Sequence, residues 1–509
     1  MLLWVVMVRI ISFFWIGLFV VIGSVFWARG VIFLDPDFGW HLKTGELILR
    51  EGIPKSDPFS YTMPSYPFVD QTWLIDVVMA RLYPAIGAIG LAGFYAVFLT
   101  LTLAIGVFGS VSRLKRITVE RSLGLAALLL LAAATLLYYS RVHSQAMTWF
   151  FFSVLLWTIH SPERRKRYRY FIPFLFMFWA NIHGGFMAGL ATLAFFIIVR
   201  SIRRRRFLGD FLVLCLSSLA TLVNPYGFQL WVDVGRTLLS STLMRSIQEW
   251  LPAIQFINVG LPFLLAFSGV LIWRYKASFS PEALGLYGVF VLAGLWSQRH
   301  IPLWVVVGLP LSAVAVERLA LEAVGMRGGR RRLVRFWLGV LLISLAIFVV
   351  QVRIVLQNVQ RVSEEQFYPR WAVEYLRSTL PSGQVFSSYE WGGYFLWKLP
   401  EKRVFVDGRM PIWRWVPPPR DSGSAFEEYL RLVRGELPIA EVFEKYGIDT
   451  VVWPVVRYKD KPSFTDRLEF FWDAVFGARE DLPDFGERLV AEGWGIVYRD
   501  PVAVIYRKM

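Results

Sequence analysis

The stretch ISFFWIGLFVVIGSVFWARGVIFLDPDFGWHL, residues 11–42, decides the class of this protein. From Ile11 to Leu34 its only charged residue is Arg29, and a helix needs about 20 such residues to cross the roughly 30 Å hydrocarbon core of a bilayer. A short basic start gives the run a superficial likeness to a signal peptide. It is too long for one, however, and it ends in LDPDFGW with no small-residue cleavage site, so it predicts a retained transmembrane helix over 8–34. Further apolar spans lie near 86–112, 122–139, 145–160, 170–182, 186–200, 208–223, 257–273, 282–297, 301–317 and 333–352, which brings the expected crossings to about eleven. The short fifth and sixth spans flank NIHGG at 181–185 and suit either a tight hairpin or a re-entrant pair.

Composition agrees with this reading. Hydrophobic residues make up 56% of the 509, charged residues 18%, and the mean hydropathy is +0.49. A soluble protein carries about 25% charged residues, so an ordinary cytosolic enzyme is excluded. The net charge of +16 is dispersed in short clusters between apolar runs, the pattern that orients a membrane protein and not the single basic face of a nucleic-acid binder. The lone cysteine, Cys215, rules out an intrachain disulfide.

Threading the spans sorts the loops by charge. One set holds Arg9, the basic residues of 113–121, ERRKRYR at 163–169, RRRR at 203–206, Arg274 with Lys276, and RGGRRRLVR at 327–335; by the positive-inside rule it is cytoplasmic. The other set, with residues 35–85, SRVHSQ at 140–145, NIHGG, NPYG at 224–227 and SQRH at 297–300, then faces out. The N-terminus is expected inside, in the plasma (inner) membrane. After residue 360 strand-like runs (QVFSSY, RVFVDGR, DTVVWP, GIVYRD, VAVIYRK) alternate with helical ones (AFEEYLRLVRGEL, IAEVFEKYGI). The expected architecture is an α-helical polytopic domain over 1–355, with a first outer loop at 35–85, and an extracytoplasmic α/β domain over 360–509.

Residues able to do chemistry gather in the outer loops. His41, His143, His183 and His300 all fall at outer span ends, and only His160 falls inside. Asp35 and Asp37 follow the first span directly, and Asp37 and His41, four apart, share a face of a short amphipathic helix starting near Phe38. Either aspartate is a normal N-cap. Capping needs only one of them, though, and leaves Trp40 and His41 unaccounted for. Arg141 and Arg299 read either as interfacial anchors or as anion ligands. NIHGG also reads as a tight turn of close backbones, and VFVDGR at 404–409 reads first as a strand ending in an Asp-Gly turn with a surface arginine.

The acidic loop DPDFGWHL at 35–42 resembles that of the GT-C superfamily, the polytopic glycosyltransferases that use polyprenyl-phosphate sugars. Members typically place an acidic motif in the first outer loop, then membrane-parallel helices, further spans and often an outward soluble domain. Counterparts here are DPD, the helices expected at 39–50 and 70–84, the later spans and the tail. NIHGG, NPYG and YEWGGYFLW at 389–397 also resemble segments of bacterial members. The resemblance implies transfer of a sugar from a polyprenyl-phosphate donor to a lipid, glycan or protein acceptor outside the cell membrane.

That reaction needs a base for the acceptor's proton, for which Asp37 is the first choice, with Asp35 as its partner and His41 in support. It also needs donors for the departing phosphate: Arg299 with His300 as the leading pair, and Arg141, His143 and His183 beside them. Asp35, Asp37 and His41 are alternatively candidate ligands for Mg or Mn. The competing function is a transporter or flippase, which would place paired charges within the membrane along a pathway; few are present. A non-catalytic scaffold presenting the tail is a third reading.

Overall fold

The computed structural model describes residues 2–109, 118–204, 208–240, 243–244, 247–255, 258–326, 328–359, 364–415, 423–455 and 484–508. The chain divides into two compact units, one of residues 1–32, 86–230 and 248–359 and the other of residues 33–85, 231–247 and 360–509.

The first unit is helical. Among the described residues five helices are long and apolar enough to cross a membrane: α1 (Leu2–Ile32), α3 (Trp73–Phe108), α4 (Val119–Leu137), Ile301–Val324 and Gly329–Val359. Shorter apolar helices run over Phe186–Ile202, Leu208–Ala220, Gly260–Arg274 and Pro281–Trp296. The hub is α4, whose LGLAALLLLAAATLL run is buried almost throughout. Its alanines and Gly124 let neighbouring helices approach closely; a Cβ on Gly124 would strike Trp337 and Val316. The outer faces of the unit expose Phe13, Ile16, Val20, Leu342, Ile343 and many like them. Water would penalise such a surface and a lipid bilayer favours it. The Ile172–Ala180 helix has nine residues, a rise of about 14 Å, half of a hydrocarbon core.

In α3 the helical geometry breaks at Gly87, where φ is 62°, three residues after Pro84. A residue with a side chain would resist that φ, so glycine marks the break between two helical stretches.

The second unit is built on a four-stranded sheet of order β1-β2-β4-β3: β1 (Gln384–Ser387), β2 (Ile448–Pro454), β3 (Trp494–Arg499) and β4 (Ala503–Lys508). The β1/β2 pair is parallel, and β4 runs antiparallel to both β2 and β3. Alternate side chains feed two cores, as the period of a strand requires. Phe386, Val451, Trp453, Val504 and Tyr506 meet the helices Ala425–Val433, Ile439–Tyr446 and Phe485–Ala491 on one face. Val385, Val452, Ala503 and Ile505 meet Arg370–Ser378 and Gly392–Lys398 on the other.

Residues 35–85, expected as the first outer loop of the transmembrane domain, complete both cores. Met63 and Phe68 enter the first, and Trp40 of α2 (Phe38–Glu51) enters the second. The expected strand at 403–409 does not form. Val404, Phe405, Val406 and Asp407 are buried, and their backbone pairs with the 59–62 loop instead of the sheet, through Val404 N–H to Phe59 O, Tyr61 N–H to Val404 O, and Thr62 Oγ1 to Phe405 O.

Candidate active site

The acidic loop divides its labour between two aspartates. The Asp37 N–H donates to Asp35 Oδ1 at 2.9 Å, and Phe38 N–H to Asp35 O at 3.0 Å, so Asp35 folds the chain into the first turn of α2. Asp37 holds the N-cap position, yet its side chain makes no capping hydrogen bond. Asp37 Oδ1 accepts from the indole Nε1 of Trp40 at 2.9 Å instead. Two close approaches fix this geometry. A Cβ on Gly39 would overlap the carbonyl of Gly393, so α2 packs backbone to backbone on Gly392–Lys398, and a Cβ on Gly408 would overlap Asp37 Oδ1.

Trp40 stacks on His41 with ring centroids 3.6 Å apart. The imidazole turns its Nδ1 toward Asp76, 2.7 Å from Asp76 Oδ1, and both groups are buried. A contact that short between a ring nitrogen and a carboxylate requires one shared proton. Burial lowers the pKa of His41, partly offset by the charges of Asp37 and Asp70, so the ring is neutral at neutral pH. Behind it Thr72 Oγ1 lies 2.8 Å from Asp70 Oδ1 and 3.2 Å from Asp76 Oδ2.

Burial, reinforced by the charge of Asp76, pushes Asp70 up to about 8 from 3.8. The folded protein therefore keeps a proton on Asp70 that the unfolded chain loses above about pH 4, and stability falls as pH rises through that window. The thermal midpoint of the purified protein is expected to be lower at pH 8 than at pH 5, and Asp70→Asn is expected to flatten the decline. A midpoint that rises over this range, or a slope untouched by the substitution, would contradict the assignment.

Arg409 sits in a second buried cluster. Its Nε and Nη2 donate to the two oxygens of Asp407 at 2.8 and 2.6 Å, and its Nη1 donates to Asp57 Oδ1 at 2.8 Å. Phe59, Phe68 and Trp413 each present a ring within 5.2 Å of the guanidinium carbon. Burial alone would lower the arginine's pKa; the two carboxylates outweigh it and hold it above its ordinary value. The reading of Arg409 as a surface residue is therefore corrected. A fixed cation among aromatic faces, with two carboxylates on its donors, is a scaffold for the loop that carries Gly408 against Asp37.

In the helical unit, Arg141 and Arg299 converge on Glu249. Arg299 Nη1 donates to Glu249 Oε2 at 2.8 Å, Arg141 pairs with Oε1, and Gln145 Nε2 reaches Oε2 at 3.2 Å. The guanidinium of Arg299 lies 5.0 Å over the ring of Trp250, and His300 meets that ring edge-on. Arg299 thus shares its anion with Arg141, not with the neighbouring His300. His143 Nδ1 accepts from Gln145 N–H at 3.2 Å and caps the next helix. His183 Nδ1 accepts from Gly185 N–H at 2.9 Å and lies 2.8 Å from Thr148 Oγ1. A Cβ on Gly185 would strike Thr148, so NIHGG is a turn that needs its glycine.

No protein-family model matches the sequence, nor does any curated protein. Solved structures do. ArnT from Cupriavidus metallidurans bound to undecaprenyl phosphate superposes over 97% of this chain and 98% of its own, with a TM-score of 0.53 and 14% identity. The apo form of the same protein gives 98% and 98%, 0.52 and 13%. The chain has an ArnT-like fold.

Within that fold the loop residues the sequence singled out fall into two groups. Asp35, Asp37 and His41 cluster at the start of α2, whereas Arg141 and Arg299 meet on Glu249. Asp35 and Asp37 each bring a carboxylate oxygen within 4.8 Å of the other, while Asp35 Oδ1 accepts from the Asp37 N–H, Asp37 Oδ1 from Trp40, and His41 Nδ1 faces Asp76. Asp70, Asp76 and Glu249 went unnoticed in the sequence. Asp57, ahead of Pro58, reads as a turn residue, and its carboxylate does accept from Phe59 and Ser60 N–H. Asp76 opens a helix, where acidic residues are commonplace.

Proposed function

We propose that this protein is an integral-membrane glycosyltransferase that moves a sugar from a polyprenyl-phosphate donor to an acceptor on the extracytoplasmic side of the inner membrane. The observation that carries the reading is the ArnT-like fold along the whole chain, together with an Asp37 carboxylate that opens α2 without capping it. The undecaprenyl phosphate bound by ArnT, a protein of the same fold, supports the donor class.

In the proposed reaction the acceptor hydroxyl attacks the anomeric carbon and gives its proton to Asp37. The bond between that carbon and the phosphate oxygen breaks, and the polyprenyl phosphate leaves with the electron pair. Arg141 and Arg299 bind the phosphate, because guanidinium forks match its oxygens and stabilise the charge that develops on them. Asp35 holds the turn that presents Asp37, and His41 with Asp76 fixes Trp40 beneath it. Incubating the purified protein with polyprenyl-phosphate sugars and a membrane lipid extract tests the proposal: free polyprenyl phosphate should accumulate. No release from any such donor would oppose it.

Sidedness follows from the basic loops. Whether the residues 170–182 and 186–200 cross as a pair or dip as a pair, the number of crossings stays odd, so the N-terminus lies inside and residues 360–509 outside. A reporter that works only in the oxidising compartment should be active when fused after Met509. Activity of a cytoplasmic reporter at that position would reverse the assignment.

A further inference from the structure

The carboxylate on the Arg141–Arg299 pair belongs to this chain. Glu249 sits in a single 3-10 turn, Gln248–Trp250, and takes donors from three side chains contributed by two separate helix ends. We propose that Glu249 is an internal stand-in for a phosphate: it occupies the paired arginines until the phosphate of a lipid-linked ligand displaces it. This inference rests on the polyprenyl-phosphate reading above and adds to it a competitor for the donor built into the chain.

The chemistry of the exchange is favourable. Guanidinium forks bind carboxylate and phosphate in the same bidentate manner. A phosphodiester supplies one negative charge and a phosphomonoester supplies nearly two, with more acceptor oxygens than a carboxylate offers. An anion with that charge can replace Glu249 and satisfy both arginines at once.

The surroundings let the side chain leave without moving its backbone. Trp250 is buried beneath the Arg299 guanidinium and against His300. Gln298 N–H donates to Leu251 O at 3.0 Å, which ties the turn to the loop carrying Arg299. Glu249 itself is a quarter exposed, with 26% of its side chain accessible. Water therefore reaches the carboxylate and competes for its donors. A structural strut makes the opposite demand, since its removal would take away the hydrogen bonds that Glu249 accepts and loosen the loops that donate them.

A competitor inside the protein reduces apparent affinity by the fraction of molecules in which the site is open, so an open fraction of about 0.1 predicts a gain of about tenfold when the competitor is removed. The test measures binding of undecaprenyl phosphate, undecaprenol and inorganic phosphate to the full-length protein and to Glu249→Gln in the same detergent. The variant should bind undecaprenyl phosphate about tenfold more tightly than the parent, with no gain for undecaprenol. An equal gain for inorganic phosphate would support displacement and name free phosphate as a ligand of the pair. Unchanged or weaker binding of undecaprenyl phosphate by the variant, where the parent binds it, overturns the stand-in and leaves the donor reading intact. If neither protein binds any phosphate ligand, both fail. Glu249→Asp, which keeps the charge but retracts it by one methylene, decides the matter if Glu249→Gln does not fold: tighter binding than the parent supports displacement, and equal or weaker binding rejects it.

Discussion

Asp37→Asn is expected to abolish sugar transfer while leaving the protein folded, inserted and as heat-stable as its parent. An amide keeps the shape of the carboxylate and an oxygen for Trp40 Nε1, so the contact at 2.9 Å survives. It cannot accept the acceptor's proton. Loss of a positioned general base costs about 10²–10⁴ in rate. A helix cap would respond differently, because asparagine caps as well as aspartate does and only alanine would cost about 1 kcal/mol. The structure sharpens the contrast, since the Asp37 side chain makes no capping bond and the turn is held by Asp35. Near-parental turnover in Asp37→Asn would remove the central residue of the mechanism.

The largest loss of stability is expected from Arg409→Met. The substitution removes the cation from between Asp57 and Asp407, each of which has a side chain fully buried. Breaking a buried ion pair by deleting one partner costs about 3–5 kcal/mol, because the other charge is left uncompensated in a low-dielectric interior. A surface arginine at the end of a strand would cost about 0.5 kcal/mol or less. Thermal or denaturant unfolding of the full-length protein separates the two. Adding Asp57→Asn and Asp407→Asn to Arg409→Met should recover much of the loss, since no charge is then stranded. A single variant as stable as the parent, or a triple variant no better than the single one, would refute the role given to this cluster.

The parts of the fold legible in the sequence are those coded locally. A run such as that of residues 11–34 has one interpretation in terms of length and charge, and β1, β2, β3 and β4 each lie within an apolar stretch bounded by turn residues. RVFVDGR has the same local look and is not a strand, because its partners are the 59–62 loop, more than 300 residues earlier in the chain. The same limit governs the site. Asp35 and Asp37 stand out beside the first span, but the partner of His41 is Asp76, 35 residues away, and the anion between Arg141 and Arg299 is Glu249, 108 residues from the first of them. Nothing in the spacing of these residues marks the pairings. Buried carboxylates look like turn and cap residues in sequence, since the same side chain serves in either place until packing removes its water.

Mass spectrometry of the lipids that remain with the protein through purification tests the central claim most directly. The account predicts a polyprenyl phosphate or its sugar conjugate, held by the parent and depleted when Arg141 and Arg299 are both replaced by alanine. A bound polar solute with no polyprenyl phosphate in either sample would contradict it and point to transport instead of transfer.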